Sequence, residues 1–148
     1  MNNLQEVSEV EKRYPLREKW GDSLRQGFVV VPWVMLSRQR ELGLASLELV
    51  VLMHLISSWW EANNAPYPSS QTIAKRMAVS ARTVQRHLKS LETKGFLVKQ
   101  PSALANNGTS MVTRYNLTPL AQKLSGLVIK QVKKAREAAS AKSVENTV

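Results

Sequence analysis

Cysteine is absent from this sequence, which also has only one aspartate, Asp22, and two histidines, His54 and His87. Without cysteine there is no disulfide framework, no thiolate nucleophile and no Cys-based zinc site. The basic part of the chain has no carboxylate cluster that could hold Mg²⁺ for nuclease or transferase chemistry. We therefore expect no catalytic residue, no metal and no cofactor, and we interpret the protein as a non-enzyme.

Long apolar runs are also missing. The first fifteen residues alternate charges and contain no run of signal-peptide type. The longest apolar run, from Leu47 to Ile56, is interrupted by Glu48 and His54 and would cover about half of a bilayer. These features predict a cytoplasmic bacterial protein without a membrane partner.

Acidic residues are scarce where basic residues concentrate. Residues 1–61 contain seven Lys or Arg against eight Asp or Glu, whereas residues 62–136 contain thirteen basic residues and a single acidic one, Glu92. The net charge of +10 therefore comes from the second half of the chain. A positive field of this kind attracts polyanions and indicates a nucleic-acid partner.

Residues 68–95 have the pattern of two helices joined by a very tight turn. Ser69 or Ser70 would cap the first helix, whose apolar side contains Ile73, Ala74 and Met77. The chain then offers a second capping residue, Ser80, and the second helix would end at Gly95. Its buried side would be formed by Ala81, Val84, Leu88 and Leu91.

The opposite side of the second helix suggests DNA recognition. Arg82, Gln85, Arg86 and Lys89 are spaced by three and four, so they share one exposed stripe beside Thr83. Arg and Gln read guanine and adenine edges through paired hydrogen bonds, and a helix fits the major groove. The segment IAKRMAVSARTVQRHLKSLETKGFLVK resembles the helix-turn-helix of winged-helix DNA-binding proteins, and the resemblance covers roughly residues 45–117.

This resemblance implies a mainly α fold with a small β-hairpin, in which the second helix is the recognition helix and double-stranded DNA is the partner. Base reading is expected from Arg82, Gln85 and Arg86. Contacts with the DNA backbone are expected from Ser69, Ser70, Gln71, Lys75, Arg76, Thr83, Lys89, Lys99 and Arg114. One departure is Ala78 at the turn, where related proteins often have Gly. Alanine with positive φ costs about 1 kcal/mol, so either the turn tolerates this cost or its geometry differs slightly.

The segment after Gly95 resembles the wing. FLVKQ and MVTRYNL are strand-like and flank a polar loop that contains Asn107 and Gly108. The intervening PSALANNGTS has no basic residue, so we expect backbone contacts from Lys99 and Arg114 on the strands rather than minor-groove reading by the tip.

The flanking segments complete the predicted organisation. Residues 1–26 are an N-terminal arm with a weak helix at residues 4–13, residues 27–118 form the winged helix-turn-helix domain, and residues 119–148 form an amphipathic helix and a disordered tail. Within the domain, FVVVPW is compatible with a strand, and Pro32 would start a helix that runs through Leu42 and ends at Gly43. Ser46 would cap a buried central helix that Trp59 and Trp60 close.

The C-terminal helix would start with Thr118 as cap and Pro119 at its first position, and its tail from about Ser140 is expected to be disordered. Its apolar stripe contains Leu120, Leu124, Leu127, Val128, Val132 and Ala135. This stripe either folds back on its own domain or pairs with a second copy, making residues 119–136 a dimerisation helix.

Two purposes are compatible with such a DNA-binding protein. The first is a transcriptional regulator of repressor type, which would usually bind an inverted repeat as a dimer. The alternative is a plasmid or phage replication-initiation protein, because the stretch from Phe28 to Trp60 resembles the N-terminal domain of such initiators. A basic winged helix that binds RNA by shape is a further alternative.

Overall fold

The structure is a computed structural model that describes residues 15–101, 103–104, 108 and 111–145. The predicted helix at residues 4–13, most of the predicted hairpin tip and residues 146–148 lie outside these ranges. The helices, in chain order, are α1 (Leu16–Trp20), α2 (Trp33–Ser37), α3 (Gln39–Leu42), α4 (Ser46–Ile56), α5 (Ser70–Met77), α6 (Ala81–Thr93) and α7 (Thr118–Glu145). A 3₁₀ turn, Gly21–Gln26, follows α1. The strands are β1 (Val98–Lys99), β2 (Ala103–Leu104), β3 (Met111–Val112) and β4 (Tyr115–Asn116).

The core is built around α4, as its nearly continuous apolar sequence predicts. Val51, Leu52 and Leu55 of this helix are fully buried. Around them pack buried residues from α2, from every helix after α4 and from the segments next to β1 and β4. These residues are Met35, Ile73, Val84, Leu91, Phe96, Leu97, Leu117 and Leu120. Burying each such aliphatic or aromatic side chain stabilises the fold by roughly 1.5–3 kcal/mol, so this one cluster accounts for the relative placement of α4, α5 and α6.

The strands form one hairpin in two short ladders. β1 pairs with β4 in antiparallel register, Val98 opposite Asn116 and Lys99 opposite Tyr115. Further out, β2 pairs with β3, and the Gln100 N–H donates to the Arg114 carbonyl between the two ladders at 2.9 Å. The prediction of a mainly helical fold with a small antiparallel hairpin is therefore confirmed, and the finer winged arrangement stays a prediction.

Two predictions for the N-terminal half are wrong. The β-branched run before Pro32 belongs to no strand, because no strand among the described residues pairs with it. The helix expected up to Leu42 is interrupted at Arg38, whose φ of −115° and ψ of 21° separate α2 from α3. The expected stop at Gly43 is confirmed, since this residue adopts the left-handed conformation.

The ends of α4 also differ from the prediction. Ala45, not Ser46, is the N-cap residue, and the Glu48 carboxylate accepts the Ala45 N–H at 3.0 Å. The acidic residue in the first turn thus does the capping that the serine was expected to do. The helix ends at Ile56, before the tryptophans; Trp59 packs against the core, whereas Trp60 is 70% exposed.

The C-terminal helix is longer than predicted. It begins at Thr118, whose N–H donates to the Asn116 side chain at 2.9 Å, and it continues to Glu145, past the predicted start of a disordered tail at Ser140. Residues 137–145 include three Ala and two Glu and contain no Gly or Pro, so intrinsic propensity favours helix there. No helix among the described residues is long and apolar enough to cross a membrane.

The amphipathic stripe of α7 is only partly covered by its own domain. Leu120 and Leu124 are buried, whereas Val128 and Val132 are 42% and 46% exposed and Ile129 is 66% exposed. The first turns of the helix therefore fold back on the domain as one of the two alternatives predicted. The later part of the stripe has no cover among the described residues.

Candidate nucleic-acid interface

Helix α5 begins at a capping serine, and the turn that leads from it to α6 begins at a left-handed alanine. The Ser69 hydroxyl accepts the Thr72 N–H at 3.1 Å, so Ser69 rather than Ser70 is the cap of α5. Ala78 ends that helix at φ 54° and is the one non-glycine residue with positive φ in the part of the chain that the structure describes. The turn therefore keeps the geometry that glycine usually supplies, at a cost of about 1 kcal/mol.

Both ends of α6 follow the predicted chemistry. The Ser80 hydroxyl accepts the Thr83 N–H at 3.1 Å, which confirms Ser80 as the N-cap. At the other end the Phe96 N–H donates to the Leu91 carbonyl and the Gly95 N–H to the Glu92 carbonyl, each at 3.0 Å. This pair of bonds with Gly95 at φ 76° is a Schellman motif, which aims the chain directly into β1.

The two faces of α6 separate as the spacing predicts. Val84, Leu88 and Leu91 are buried against the core. The residues on the opposite face, which we call the basic stripe, are all exposed and comprise Arg82, Gln85, Arg86 and Lys89. Because the buried face is anchored, the side chains of the basic stripe project from a rigid platform, as a base-reading helix requires.

The predicted backbone contacts on the helix pair divide into two groups. Gln71, Lys75 and Arg76 are exposed on α5 and their side chains are available to phosphates. The hydroxyls of Ser69 and Thr83, by contrast, already take part in the caps, Ser69 with Thr72 at 2.8 Å and Thr83 with Ser80 at 2.9 Å. The role that the structure shows for these two residues is therefore helix capping, and their contacts with DNA stay a prediction.

A groove of about 460 Å³ separates α6 from the base of the hairpin. Its lining combines a hydroxyl from the start of α5, one side of α6 and the inner residues of the strands: Ser70, Gln85, Leu88, Lys89, Glu92, Lys99, Thr113 and Tyr115. Lys89 and Lys99 lie on opposite walls. The groove thus brings together three of the predicted backbone-contacting residues, Ser70, Lys89 and Lys99, which are distant in sequence.

Arg114 is placed differently from its prediction. Its guanidinium donates to the Asn64 side chain at 3.2 Å and to the Ala65 carbonyl at 3.1 Å, and lies 4.3 Å from the centre of the Tyr67 ring. These contacts fasten the loop before α5 to the hairpin, assisted by the Tyr115 N–H, which donates to the Pro66 carbonyl at 3.0 Å. Arg114 is therefore engaged within the protein, which leaves Lys99 as the freer of the two predicted hairpin cations.

Two acidic residues for which the sequence predicted no role at this site connect its elements. The Glu92 carboxylate accepts the backbone N–H of Lys99 at 3.1 Å and joins α6 to β1. Glu48, only 3% exposed, accepts from Ser90 of α6 and from Lys94 directly after that helix, and so joins α4 to α6. The available signal for Glu92 was its isolation among thirteen basic residues. The corresponding signal for Glu48 was its position as a charged residue within an otherwise mostly apolar helix.

Three ionisable groups of the domain have pKa values that depart from their usual ones. Burial by itself would raise the pKa of Glu48, but the hydrogen bonds from Lys94, Ser90 and Ala45 outweigh it, so the pKa lies below its usual value. Burial, helped by the positive charge of Arg76, lowers the pKa of His54. Burial raises the pKa of the Tyr115 hydroxyl despite its hydrogen bond with Ser70. The described residues contain no group of three or more His, Cys, Asp or Glu that could hold a metal ion.

Comparison with known proteins identifies the family. The DnaD N-terminal domain family model matches residues 31–136, and the chain belongs to this family. The crystal structure of the N-terminal domain of DnaD protein from Geobacillus kaustophilus HTA426 is similar, with a TM-score of 0.57 and 29% sequence identity. The similarity covers 81% of this chain and 96% of that one. No curated protein matches the chain.

Proposed function

We propose that this protein binds double-stranded DNA during the initiation of replication, through a winged helix-turn-helix in which α6 is the recognition helix and the hairpin is the wing. The observation that carries the proposal is the basic stripe, four exposed hydrogen-bonding side chains on a helix whose other face is buried. A solvated surface helix would not need caps at both ends, a rigid turn and a hairpin fastened beside it.

The residues have separate roles in this proposal. Arg82, Gln85 and Arg86 face the base edges, and Lys89 faces phosphate at the groove. Additional backbone contacts come from the start and outer face of α5, from the first turn of α6 and from the hairpin. These residues are Ser69, Ser70, Gln71, Lys75, Arg76, Thr83, Lys99 and Arg114. Arg114 can take part only through donors that its contacts with Asn64 and Ala65 leave over. No catalytic step belongs to the proposal.

Membership of the DnaD N-terminal domain family supports replication over transcriptional repression, because DnaD is a primosome-related replication protein. The replication-initiator alternative derived from the sequence is thus favoured over the repressor interpretation.

A homodimer is part of the proposal. On a helical projection, Val128, Val132 and Ala135 lie on one side of α7, and Lys130 and Lys134 lie on the opposite side. A second copy can therefore cover the exposed apolar stripe without bringing these lysines together. The dimer would use residues 119–136, as the sequence predicts.

The experiment is selection of binding sites from a random duplex pool, followed by affinity measurements on the enriched site and on random duplex. Tandem direct repeats support replication initiation, whereas an inverted repeat with half-sites about one helical turn apart supports a dimeric repressor. Absence of enrichment, with affinity that falls steeply in salt, would overturn sequence-specific reading.

The same two duplexes test the basic stripe. Arg86→Ala is expected to cost about 1–3 kcal/mol on the enriched site and much less on random duplex. Arg40→Ala is the matched control, because Arg40 is an exposed arginine on α3, outside the proposed interface. Equal losses on both duplexes for Arg86→Ala would remove this residue from base reading.

A further inference from the structure

Glu92 is the single acidic residue in a stretch with thirteen basic ones, and it lies in the groove between α6 and the hairpin. A carboxylate at a phosphate-binding surface opposes binding, so its presence needs a physical reason. The structure supplies one, because the carboxylate accepts the Lys99 N–H at 3.1 Å. In the ladder of β1 and β4 this N–H has no strand partner, since the adjacent hydrogen bond runs from Gln100 to Arg114.

The hydrogen bond has a consequence for the two lysines of the groove. It fixes the backbone of Lys99 to the last turn of α6, one turn beyond Lys89, so the two walls keep one spacing. Neither ammonium group pairs with the Glu92 carboxylate among the described residues, and Lys89 and Lys99 are both exposed. Both lysines therefore line the groove with charges that Glu92 does not pair with directly.

We propose that Glu92 is a positioning residue for DNA, acting in two ways that rest on the proposed function. Its hydrogen bond holds Lys99 opposite Lys89, so that the two lysines bridge one phosphate of a strand at the mouth of the groove. Its negative charge keeps that phosphate from sliding to the floor, which sets the depth at which the strand lies beside α6.

Glu92→Gln separates the two effects, because the amide oxygen still accepts the Lys99 N–H while the charge is lost. Removing the repulsion is expected to tighten binding to random duplex by about threefold to tenfold at low salt. Glu137→Gln is the matched control: Glu137 is exposed on α7, and its loss changes net charge equally. Equal affinities for the two variants would overturn the charge effect.

Glu92→Ala tests the hydrogen bond through its coupling to Lys99. Lys99→Ala is expected to weaken binding by roughly threefold to tenfold in the wild-type and Glu92→Gln backgrounds, and to have almost no effect in Glu92→Ala, where Lys99 is no longer held. A loss of the same size in all three backgrounds would overturn the positioning effect. A merely structural role would change the thermal midpoint without this coupling.

Failure of the proposed function is distinguishable from failure of this inference. If the wild-type protein shows no preference for any selected site, the proposed sequence-specific DNA binding is wrong. The comparison of Glu92→Gln with Glu137→Gln on random duplex still measures how the Glu92 charge affects DNA affinity. If selection succeeds, but Glu92→Gln binds no tighter than Glu137→Gln and Lys99→Ala has the same effect in all three backgrounds, only the inference about Glu92 fails.

Discussion

Lys94 at the end of α6 lies 2.8 Å from the buried carboxylate of Glu48 at the start of α4, and its ammonium group also donates to the Gly43 carbonyl at 2.7 Å. The Glu48 side chain is 4% exposed and that of Lys94 37% exposed, so the pair lies at the boundary between core and solvent. It connects α4 directly to the C-terminal end of α6. This contact adds to the core packing that orients the basic stripe.

The protein should lose stability as pH falls, because the folded-state pKa of Glu48 lies below its usual value. A depressed carboxyl pKa contributes stability above the unfolded pKa of about 4.3, and this contribution is lost as pH falls through that value toward the folded pKa. The lowered pKa of His54 acts in the same direction, starting near its unfolded value of about 6.5. Urea unfolding between pH 7 and pH 3.5 measures the trend.

Glu48→Gln should flatten the lower part of this profile and His54→Gln the upper part. Lys94→Ala should cost about 2 kcal/mol of unfolding free energy at pH 7, since it leaves a buried carboxylate without its cation. A pH profile of Glu48→Gln that matches the wild type would contradict the assignment.

Ala78→Gly should stabilise the protein by about 1 kcal/mol, because Ala78 is left-handed at φ 54° and glycine adopts this conformation without the Cβ clash. Ala121→Gly is the control, an exposed position within the helical range of α7, where the same substitution should cost up to about 1 kcal/mol. Thermal or urea unfolding distinguishes the two. Destabilisation by both variants would contradict the strain at the turn.

Arg114 and Lys99 should respond differently to alanine substitution. Arg114→Ala removes two hydrogen bonds and the contact with the Tyr67 ring, so it should lower the unfolding free energy by about 1–2 kcal/mol. Lys99→Ala should leave stability within about 0.5 kcal/mol and should reduce the salt dependence of DNA binding by about one phosphate contact. The measurements are urea unfolding and duplex affinity at several salt concentrations. An unchanged unfolding free energy for Arg114→Ala would contradict its structural role and leave it only as a phosphate contact.

Replacing Val128 and Val132 together with aspartate should convert a dimer to a monomer, because charge on the apolar side of α7 opposes a second copy. Sedimentation at tens of micromolar is the measurement. Lys130→Asp and Lys134→Asp, on the other side of the helix, form the matched control and should leave the dimer intact. A monomeric wild-type protein would contradict the dimer and leave α7 packed only on its own domain.

Local signals predicted the helix pair and the hairpin well. Ser69, Ser80 and Gly95 act through hydrogen bonds within a few residues along the chain, so their roles are legible in the sequence. The same holds for the buried faces of α4 and α6, because helical periodicity decides which side chains turn inward. For Ala78 the sequence left two alternatives, a strained left-handed turn or a slightly different geometry, and the structure shows the first at φ 54°.

Predictions failed where a distant partner decides the outcome. The β-branched run before Pro32 has strand propensity but pairs with no described strand, and propensity alone does not make a ladder. Ser46 has the chemistry of a cap, yet Glu48 takes that role while it also bonds to Lys94, 46 residues away. The contacts of Arg114 with Asn64 and Ala65 could likewise not be read from the sequence, and its contact with DNA stays a prediction.

By itself, the sequence determined the charge, the two capped helices and the exposed basic stripe, because composition and local hydrogen bonding need no knowledge of the fold. Only the tertiary structure decided that Lys99 and Lys89 face one groove, that Glu92 joins its two walls and that Arg114 is engaged inside the protein. These contacts join residues far apart in sequence or in different elements, and packing of the core around α4 brings them together.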